Sequence, residues 1–415
     1  MALPTRTDRP ERPVPAVPAG ADTLAPVREP RPSFSRALWR IAAADVSSGN
    51  RLTLLRDGPS TFDAMLALID SARTSVVYEG YIWRDDEIGQ RFARAFIDAA
   101  QRGVRVRVLV DWIGRLPTPK RFFRNMQRQG VELRLFNPPG FRDWLGLLPR
   151  DHRKVLVTDD ASGVTGGIGL GVEWKRGMLR RRRSPWRDTA VLIEGDAVND
   201  LVQSFERMWD RTMGRRPRPV RRLFRAPKAS YLNTRFHPPS LVGIIEGEPW
   251  KQRVSRALQI QAVAAEHSIW IASAYFAPSR IEIEALAGAA RDGVDVRILV
   301  PSRWDYFWLR FFMTRSYRTL LRNGVRIWEW RGEMMHAKSS VIDGRWVRVG
   351  STDFNPLGVA VNYELDVVVE DSQLGSQAQS MFLEDLTQSR ELSIGSDGLV
   401  QPRELLRKAR SKLGS

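Results

Sequence analysis

The chain has 415 residues, a net charge of +18 and a pI near 10.9, with no cysteine and four histidines. This length is sufficient for two domains or one bilobed unit with a large core. The lack of thiols excludes disulfides and thiolate metal sites, and four histidines are too few for a zinc cluster, so we expect no metal. The charge favours an acidic partner, for which nucleic acid and an anionic membrane surface are both suitable.

The predicted elements follow an N-terminal arm, residues 1–35, which is rich in Pro and Arg and lacks the apolar region of a signal peptide. From residue 51 the pattern predicts strands at 51–55, 75–83 and 104–112 and helices at 61–72 and 87–102. A comparable order returns later, with strands at 268–275, 294–300 and 325–330 and helices at 281–291 and 315–322. Such alternation predicts an α/β fold in which helices flank a mostly parallel sheet.

The repetition of this order predicts a duplicated domain. We expect two similar lobes related by a pseudo-twofold axis, at 36–210 and 233–395. Between them, residues 211–232 are dense in Arg and Pro and are typical of a basic surface linker. Residues 396–415 form a C-terminal tail in this division.

One chemical pattern occurs once in each lobe. His152, Lys154 and Asp159 recur 184 residues later as His336, Lys338 and Asp343. Each His and Lys precedes an apolar strand, so strand alternation places the two side chains on one face. An imidazole and an ammonium group facing the same way suit a phosphate, because one can attack phosphorus while the other neutralises its oxygens. A basic strand face with an exposed histidine is common, but two copies in register weaken that simpler interpretation.

Small residues and carboxylates follow both motifs. Gly167 and Ser351 each end a short predicted strand, where the backbone can approach a ligand closely. Asp188 and Glu364 each stand just ahead of an apolar strand, and we expect each to hold an imidazole in the required tautomer. Without the motifs, both carboxylates would be typical of an ordinary strand edge.

The two motifs resemble the signature of the phospholipase D superfamily, His-x-Lys-x4-Asp followed by a Gly-Ser or Gly-Gly turn. The likeness runs from about residue 50 to about residue 390 and is strongest to bacterial cardiolipin synthases without membrane spans. It implies a duplicated fold in which the His, Lys and Asp residues of both motifs form one catalytic site without a cofactor. The chain departs from the family at Gly169 and Asp353, where an Asn that helps to shape the phosphate pocket usually stands.

The resemblance also implies roles for the motif residues. We expect a double displacement in which His152 attacks the phosphodiester and becomes a phosphohistidine, while His336 protonates the leaving alcohol and later deprotonates the acceptor. Lys154 and Lys338 would stabilise the phosphorane oxygens. We expect Asp159 and Asp343, the carboxylates within the two motifs, mainly to fix turns.

A segment that mixes aromatic and basic side chains lies just ahead of the second motif, and its candidate membrane-binding residues are Trp304, Trp308, Arg310, Phe311 and Phe312. These residues resemble an interfacial anchor, with rings at headgroup depth and guanidinium groups on lipid phosphates. A core helix with two Arg on its exposed edge is the competing interpretation. No apolar stretch approaches the ~20 residues of a membrane-spanning helix. We therefore expect a peripheral protein on the cytoplasmic face of a membrane, bound to anionic phospholipids.

Three functions fit these features to different degrees. A phosphatidyltransferase of the cardiolipin synthase type agrees best with the resemblance. The alternative is a phosphodiesterase or nuclease that hydrolyses phospholipid or nucleic acid, since aromatic residues also stack on single strands. A binding module without catalysis is disfavoured, because His, Lys and Asp are intact in both motifs.

Overall fold

The computed structural model describes residues 40–41, 44, 46–138, 149–175, 184–214, 240–303, 309–395 and 397–403, and the backbone alone of residues 309–315. Two sheets are present in these ranges. The first contains β2 (Arg51–Leu55), β3 (Ser75–Gly80), β4 (Arg105–Asp111), β5 (Glu132–Phe136), β6 (Val155–Thr158), β7 (Ser162–Gly166) and β8 (Ala190–Glu194). The second contains β1 (Val46–Ser47), β9 (Leu241–Gly247), β10 (Ser268–Ser273), β11 (Asp295–Pro301), β12 (Arg326–Trp330), β13 (Lys338–Ile342), β14 (Trp346–Gly350), β15 (Glu364–Glu370), β16 (Ser389–Ile394) and β17 (Val400–Pro402).

Helices cover both sheets. They are α1 (Gly58–Ser71), α2 (Glu87–Gln101), α3 (Lys120–Arg128), α4 (Ala197–Arg211), α5 (Arg253–Ala264), α6 (Arg280–Arg291), α7 (Leu309–Arg322) and α8 (Ser372–Thr387). Local sequence fixes several starts: Asp57 forms a capping box with Ser60 ahead of α1, and Ser279 forms one with Glu282 ahead of α6. The predicted elements of both halves are therefore present, with ends shifted by a few residues.

The two sheets repeat one strand order. The first is β2-β8-β7-β6-β3-β4-β5, and the second contains β9-β15-β14-β13-β10-β11-β12, so each motif strand, β6 or β13, holds the same central place. The prediction of an α/β fold with two similar lobes is confirmed. The prediction of a mostly parallel sheet was wrong, however, because among the described strands only β3-β4-β5 and β10-β11-β12 run parallel. Only residues 159–161 join β6 to β7, too few for the crossover that parallel pairing needs, and β7 pairs antiparallel with both β6 and β8.

Two short strands at the edges of the second sheet come from outside the range expected for the second lobe. Strand β1 lies within the range expected for the first lobe but pairs with β9 of the second sheet. Strand β17 lies in the expected tail but pairs with β16 at the edge of the second sheet. Most of the arm, the linker and the tail lies outside the described residues.

Apolar side chains fill three layers. One cluster covers the outer face of the first sheet, with Phe62, Phe92 and Phe96 from α1 and α2. Another covers the outer face of the second sheet. The third lies between the sheets and combines residues of both lobes, including Phe205 of α4 and Phe382 of α8. The two halves therefore share one continuous core and form a single unit.

The expected membrane anchor falls mostly outside what the structure describes. Trp304 and Trp308 are beyond the described ranges, and Arg310, Phe311 and Phe312 are described by backbone only, at the start of α7. Farther along this helix, Tyr317 and Leu320 are buried in the core of the second lobe. Within the described ranges, no helix combines the length and hydropathy needed to cross a bilayer.

Candidate active site

Each motif histidine lies just ahead of its strand and is held by backbone of the other half. The N–H of His152 donates to the carbonyl of Tyr363 at 2.9 Å, and the N–H of His336 donates to the carbonyl of Arg187 at 2.7 Å. These bonds belong to two short parallel bridges between the lobes. The next residues in the bridging segments are the two predicted carboxylates, so this exchange of backbone bonds brings each carboxylate to the opposite lobe's imidazole.

The carboxylates pair with the imidazoles crosswise. His152 Nδ1 lies 3.1 Å from both carboxyl oxygens of Glu364, and His336 Nδ1 lies 2.7 Å from Asp188 Oδ2. Both carboxylates are almost fully buried. Because Nδ1 is engaged in each ring, Nε2 is the nitrogen available to a substrate. The expectation that Asp188 and Glu364 orient imidazoles thus agrees with the geometry, while the crossing between lobes was not evident from sequence.

Two lysines complete a cationic centre. Lys154 Nζ donates to the carbonyl oxygen of His152 at 2.5 Å, and Lys338 Nζ donates to the carbonyl oxygen of His336 at 2.7 Å. Lys338 also lies 3.4 Å from the carboxylate of Asp353. Burial lowers the pKa of His152, and the charges of Lys154 and Lys338 lower it further, so the lysines of both motifs lie near this imidazole. The structure therefore brings together the four basic residues that the sequence placed in separate lobes.

The small residues after the motifs support the carboxylates in different ways. A Cβ added at Gly167 would lie 2.2 Å from Asp188 Oδ1, so only glycine fits there. Ser351, at the matching position, donates from its hydroxyl to Glu364 Oε2 at 2.5 Å and accepts from the N–H of Leu365 at 3.0 Å. Both predicted residues thus contact the carboxylate of their own lobe.

The two imidazole–carboxylate pairs differ in charge. Burial raises the pKa of Glu364 to about 8. Asp188 is also buried, yet its pKa lies below the usual value because His336, Lys338 and Trp174 stabilise the anion. Burial and the nearby lysines lower the pKa of both imidazoles, that of His152 well below its ordinary value. Asp188 is therefore a fixed anion, whereas Glu364 keeps its proton to a higher pH and His152 stays neutral.

Aromatic rings that were not predicted as site residues surround the imidazoles. The ring of Tyr81 lies 5.1 Å from that of His152, and the ring of Tyr275 lies 6.5 Å from that of His336. Trp174 packs 5.5 Å from His336 and donates from Nε1 to Asp188 Oδ2 at 2.9 Å. The tyrosines follow the equivalent strands β3 and β10, so alignment of the two halves could have identified them. Trp174 has no counterpart in the repeat, and no sequence signal marks it.

The motif aspartates lie at the far ends of their strands. Asp159 accepts hydrogen bonds from the backbone N–H groups of residues 73–75, and Asp343 accepts from those of residues 266–268. Both have positive φ, 51° and 50°. Neither contacts an imidazole in the hydrogen bonds found among the described residues. This geometry agrees with the expectation that they fix turns, and it separates them from the four basic residues.

The two departures from the family signature also differ from each other. Gly169 leaves room for Trp174, whose ring would be 2.9 Å from an added Cβ. Asp353 lies in the site, where its carboxylate contacts Lys338 and accepts from the N–H of Tyr275 at 3.1 Å. One lobe has thus lost a side chain at this position and the other has gained a charge.

Comparison with known proteins gives concordant matches. The family described as "Cardiolipin synthase, PLD-like domain" matches residues 65–209 and 259–386. A cardiolipin synthase of Geobacillus kaustophilus is 32% identical over 377 residues, which cover 87% of this chain and 70% of that protein. Cardiolipin synthase A of Pseudomonas syringae pv. syringae is 29% identical over 363 residues, which cover 86% of this chain and 73% of that protein.

Solved structures with the same fold are more distant in sequence. Phosphatidylserine synthase of Haemophilus influenzae Rd KW20 superposes with a TM-score of 0.69 at 16% identity, covering 92% of this chain and 98% of that one. Polyphosphate kinase of Porphyromonas gingivalis gives a TM-score of 0.55 at 14% identity, covering 88% of this chain and 53% of that one. These likenesses show the fold alone. The family matches in both lobes, together with the identity to known synthases, show that the chain belongs to the cardiolipin synthase family of phospholipase D-like enzymes.

Proposed function

We propose that the protein transfers a phosphatidyl group from one membrane phospholipid to the hydroxyl of another, making cardiolipin or a related phospholipid. The crossed pairing of His152 with Glu364 and of His336 with Asp188 carries this proposal, because it builds one site from both motifs. A site with two imidazoles can attack phosphorus with one and move protons with the other. The curated relatives named above are cardiolipin synthases, which supports a lipid substrate.

In the first step, Nε2 of His152 attacks phosphorus. A P–N bond forms, the P–O bond to the leaving alcohol breaks, and the alcohol oxygen takes a proton from Nε2 of His336. For this attack His152 must carry its proton on Nδ1, where the N–H donates a hydrogen bond to the ionised form of Glu364 and leaves the lone pair of Nε2 free. The lowered pKa of His152 keeps its ring neutral, which favours it as the nucleophile.

In the second step, neutral His336 removes a proton from the acceptor hydroxyl, whose oxygen attacks phosphorus and displaces His152. Asp188 suits this proton-carrying role, because an ionised carboxylate 2.7 Å from Nδ1 stabilises the imidazolium form. Lys154 and Lys338 would hold the non-bridging oxygens in both steps. Gly167 and Ser351 support the two carboxylates, while Asp159 and Asp343 maintain the strand ends.

We further propose that the protein acts as a peripheral enzyme on the cytoplasmic face of a membrane rich in anionic phospholipid. The net charge of +18 supports attraction to such a surface, since each Lys or Arg near it contributes about 1 kcal/mol. The segment of residues 304–312 is the proposed anchor. Salt should weaken this attachment.

The test supplies purified protein with phosphatidylglycerol, phosphatidylethanolamine and glycerol, separately and mixed, and identifies the lipid products by mass. We expect transfer products with wild type and with the control His267→Ala, which changes a histidine outside the site. His152→Ala and His336→Ala should lose nearly all transfer. Trapping the phosphoryl group on His336 instead of His152 would reverse the two roles. Cleavage of DNA without any lipid product would replace this proposal with the nuclease alternative.

A further inference from the structure

Asp353 adds a negative charge to a pocket built for an anion. Its side chain is 6% exposed, and its Oδ2 lies 3.4 Å from Nζ of Lys338, whose side chain is fully buried. Its Oδ1 accepts from the N–H of Tyr275 at 3.1 Å. The carboxylate therefore lies among groups that contact the substrate phosphate in the proposed reaction.

The matching position of the first lobe shows that this charge is not required by the fold. Gly169 stands 184 residues earlier and supplies no side chain, and Lys154 has no carboxylate from that position. Asp353 thus makes the two halves of the pocket unequal, since the ammonium of Lys338 is partly compensated before any ligand binds.

Local anchoring does not explain the charge either. The segment after β10 is already held by two other hydrogen bonds, from Asn355 Nδ2 to the carbonyl of Tyr275 at 3.2 Å and from the N–H of Ala277 to the carbonyl of Phe354 at 2.8 Å. An amide at position 353 would still offer an oxygen to the N–H of Tyr275. What an Asn could not supply is the negative charge.

The field of this carboxylate reaches the whole site. Burial lowers the pKa of His152, His336 and Lys154, and the charge of Asp353 opposes this effect. Burial raises the pKa of Glu364, and the charge of Asp353 adds to that effect. Among the residues that the structure describes, these groups lie at the site together with Lys338, Asp188 and the phenols of Tyr81 and Tyr275. Any anion bound among them is therefore exposed to repulsion from position 353.

We propose that Asp353 makes the site selective for singly charged phosphodiesters over doubly charged phosphomonoesters. This inference rests on the proposed function, in which the substrate is a phosphodiester. A phosphomonoester carries close to two negative charges at neutral pH, so a fixed carboxylate repels it about twice as strongly as a diester. The monoester that hydrolysis would leave is thereby poorly retained, and the pocket stays open to the next diester.

The experiment measures competitive binding of methyl phosphate and dimethyl phosphate to wild type, D353N and D353G. D353N keeps the shape of the side chain, and D353G reproduces the glycine at the matching position of the first lobe. An effect that both variants show therefore reflects the loss of the negative charge. We expect both variants to bind methyl phosphate about tenfold tighter and dimethyl phosphate about threefold tighter, because the repulsion energy scales with ligand charge. The control D295N removes a carboxylate elsewhere in the second lobe and should change neither affinity.

Equal changes for the two ligands, or no change in either variant, would overturn the inference. A second measurement is the pH profile of turnover, whose limbs should move to lower pH in D353N, because loss of the carboxylate lowers the pKa of both imidazoles. Because the binding of methyl phosphate and dimethyl phosphate does not depend on turnover, it tests the role of Asp353 separately from the proposed function. If wild type turns over no phospholipid, the proposed function fails, while the ratio of the two affinities still tests Asp353.

Discussion

The substitution Glu364→Gln should make the protein more stable, and increasingly so as the pH rises. Glu364 is 1% exposed, and burial raises its pKa from 4.5 to about 8. The folded state therefore binds this proton more tightly than the unfolded chain does. By linkage, the stability contributed by the protonated carboxyl is complete below about pH 4.5 and is lost as the pH rises through about 8.

The magnitude follows from the two pKa values. At about 1.4 kcal/mol for each tenfold step, ionising Glu364 costs the folded state on the order of 5 kcal/mol above pH 8. This value is an upper limit, because water entry and local relaxation reduce the cost of a buried charge. Gln imitates the protonated form and avoids the cost. The free energy of unfolding of Glu364→Gln should therefore exceed that of wild type only slightly near pH 5 and by a few kcal/mol near pH 8.

Urea unfolding of wild type and variant over this pH range measures the gain. Asp188→Asn is the matched control, since it changes the equivalent carboxylate of the other pair. The pKa of Asp188 is lowered, so its contribution is present above the unfolded pKa of 3.8 and is lost on acidification. Asp188→Asn should thus destabilise the protein at neutral pH. The reasoning would be refuted if the stability difference between Glu364→Gln and wild type did not depend on pH, or if both variants changed the stability in the same direction at neutral pH.

The remaining predictions concern the turn, the anchor and metals. Asp343→Ala removes the acceptor of three backbone N–H groups and should therefore destabilise the protein by about 1–3 kcal/mol. Turnover measured below the melting transition should stay nearly intact. A large loss of turnover in folded protein would contradict this prediction. Replacing Trp308, Phe311 and Phe312 together with Ser should reduce liposome cosedimentation and lipid turnover but spare a small soluble phosphodiester; undiminished lipid turnover would show that the anchor lies elsewhere. A chelator should leave transfer unchanged, and a loss that added metal restores would contradict the proposed mechanism.

Sequence was sufficient for the elements and motifs because both have local causes. Periodicity identified the strands and helices, and the shared spacing of 184 residues identified both His-Lys pairs. Strand direction was not predictable in this way, since hydrophobic pattern alone does not distinguish the antiparallel β6-β7-β8 run from a parallel one. The contact of Asp353 with Lys338 depends on a loop returning past β10, and no spacing rule specifies it.

The pairing of each imidazole with a carboxylate of the opposite lobe explains why the two lobes of this duplicated chain form one unit. Each imidazole takes its backbone acceptor and its carboxylate from the opposite lobe, so neither motif is complete within its own sheet. Buried ion pairs fix the same register. Arg153 lies 3.4 Å from Glu246 of the second sheet, and Arg187 lies 2.7 Å from Asp385 of α8. Because a buried charge left without its partner is costly, a shifted arrangement of the lobes would lose both the ion pairs and the imidazole contacts. The interactions that join the lobes are thus the interactions that orient the reacting groups.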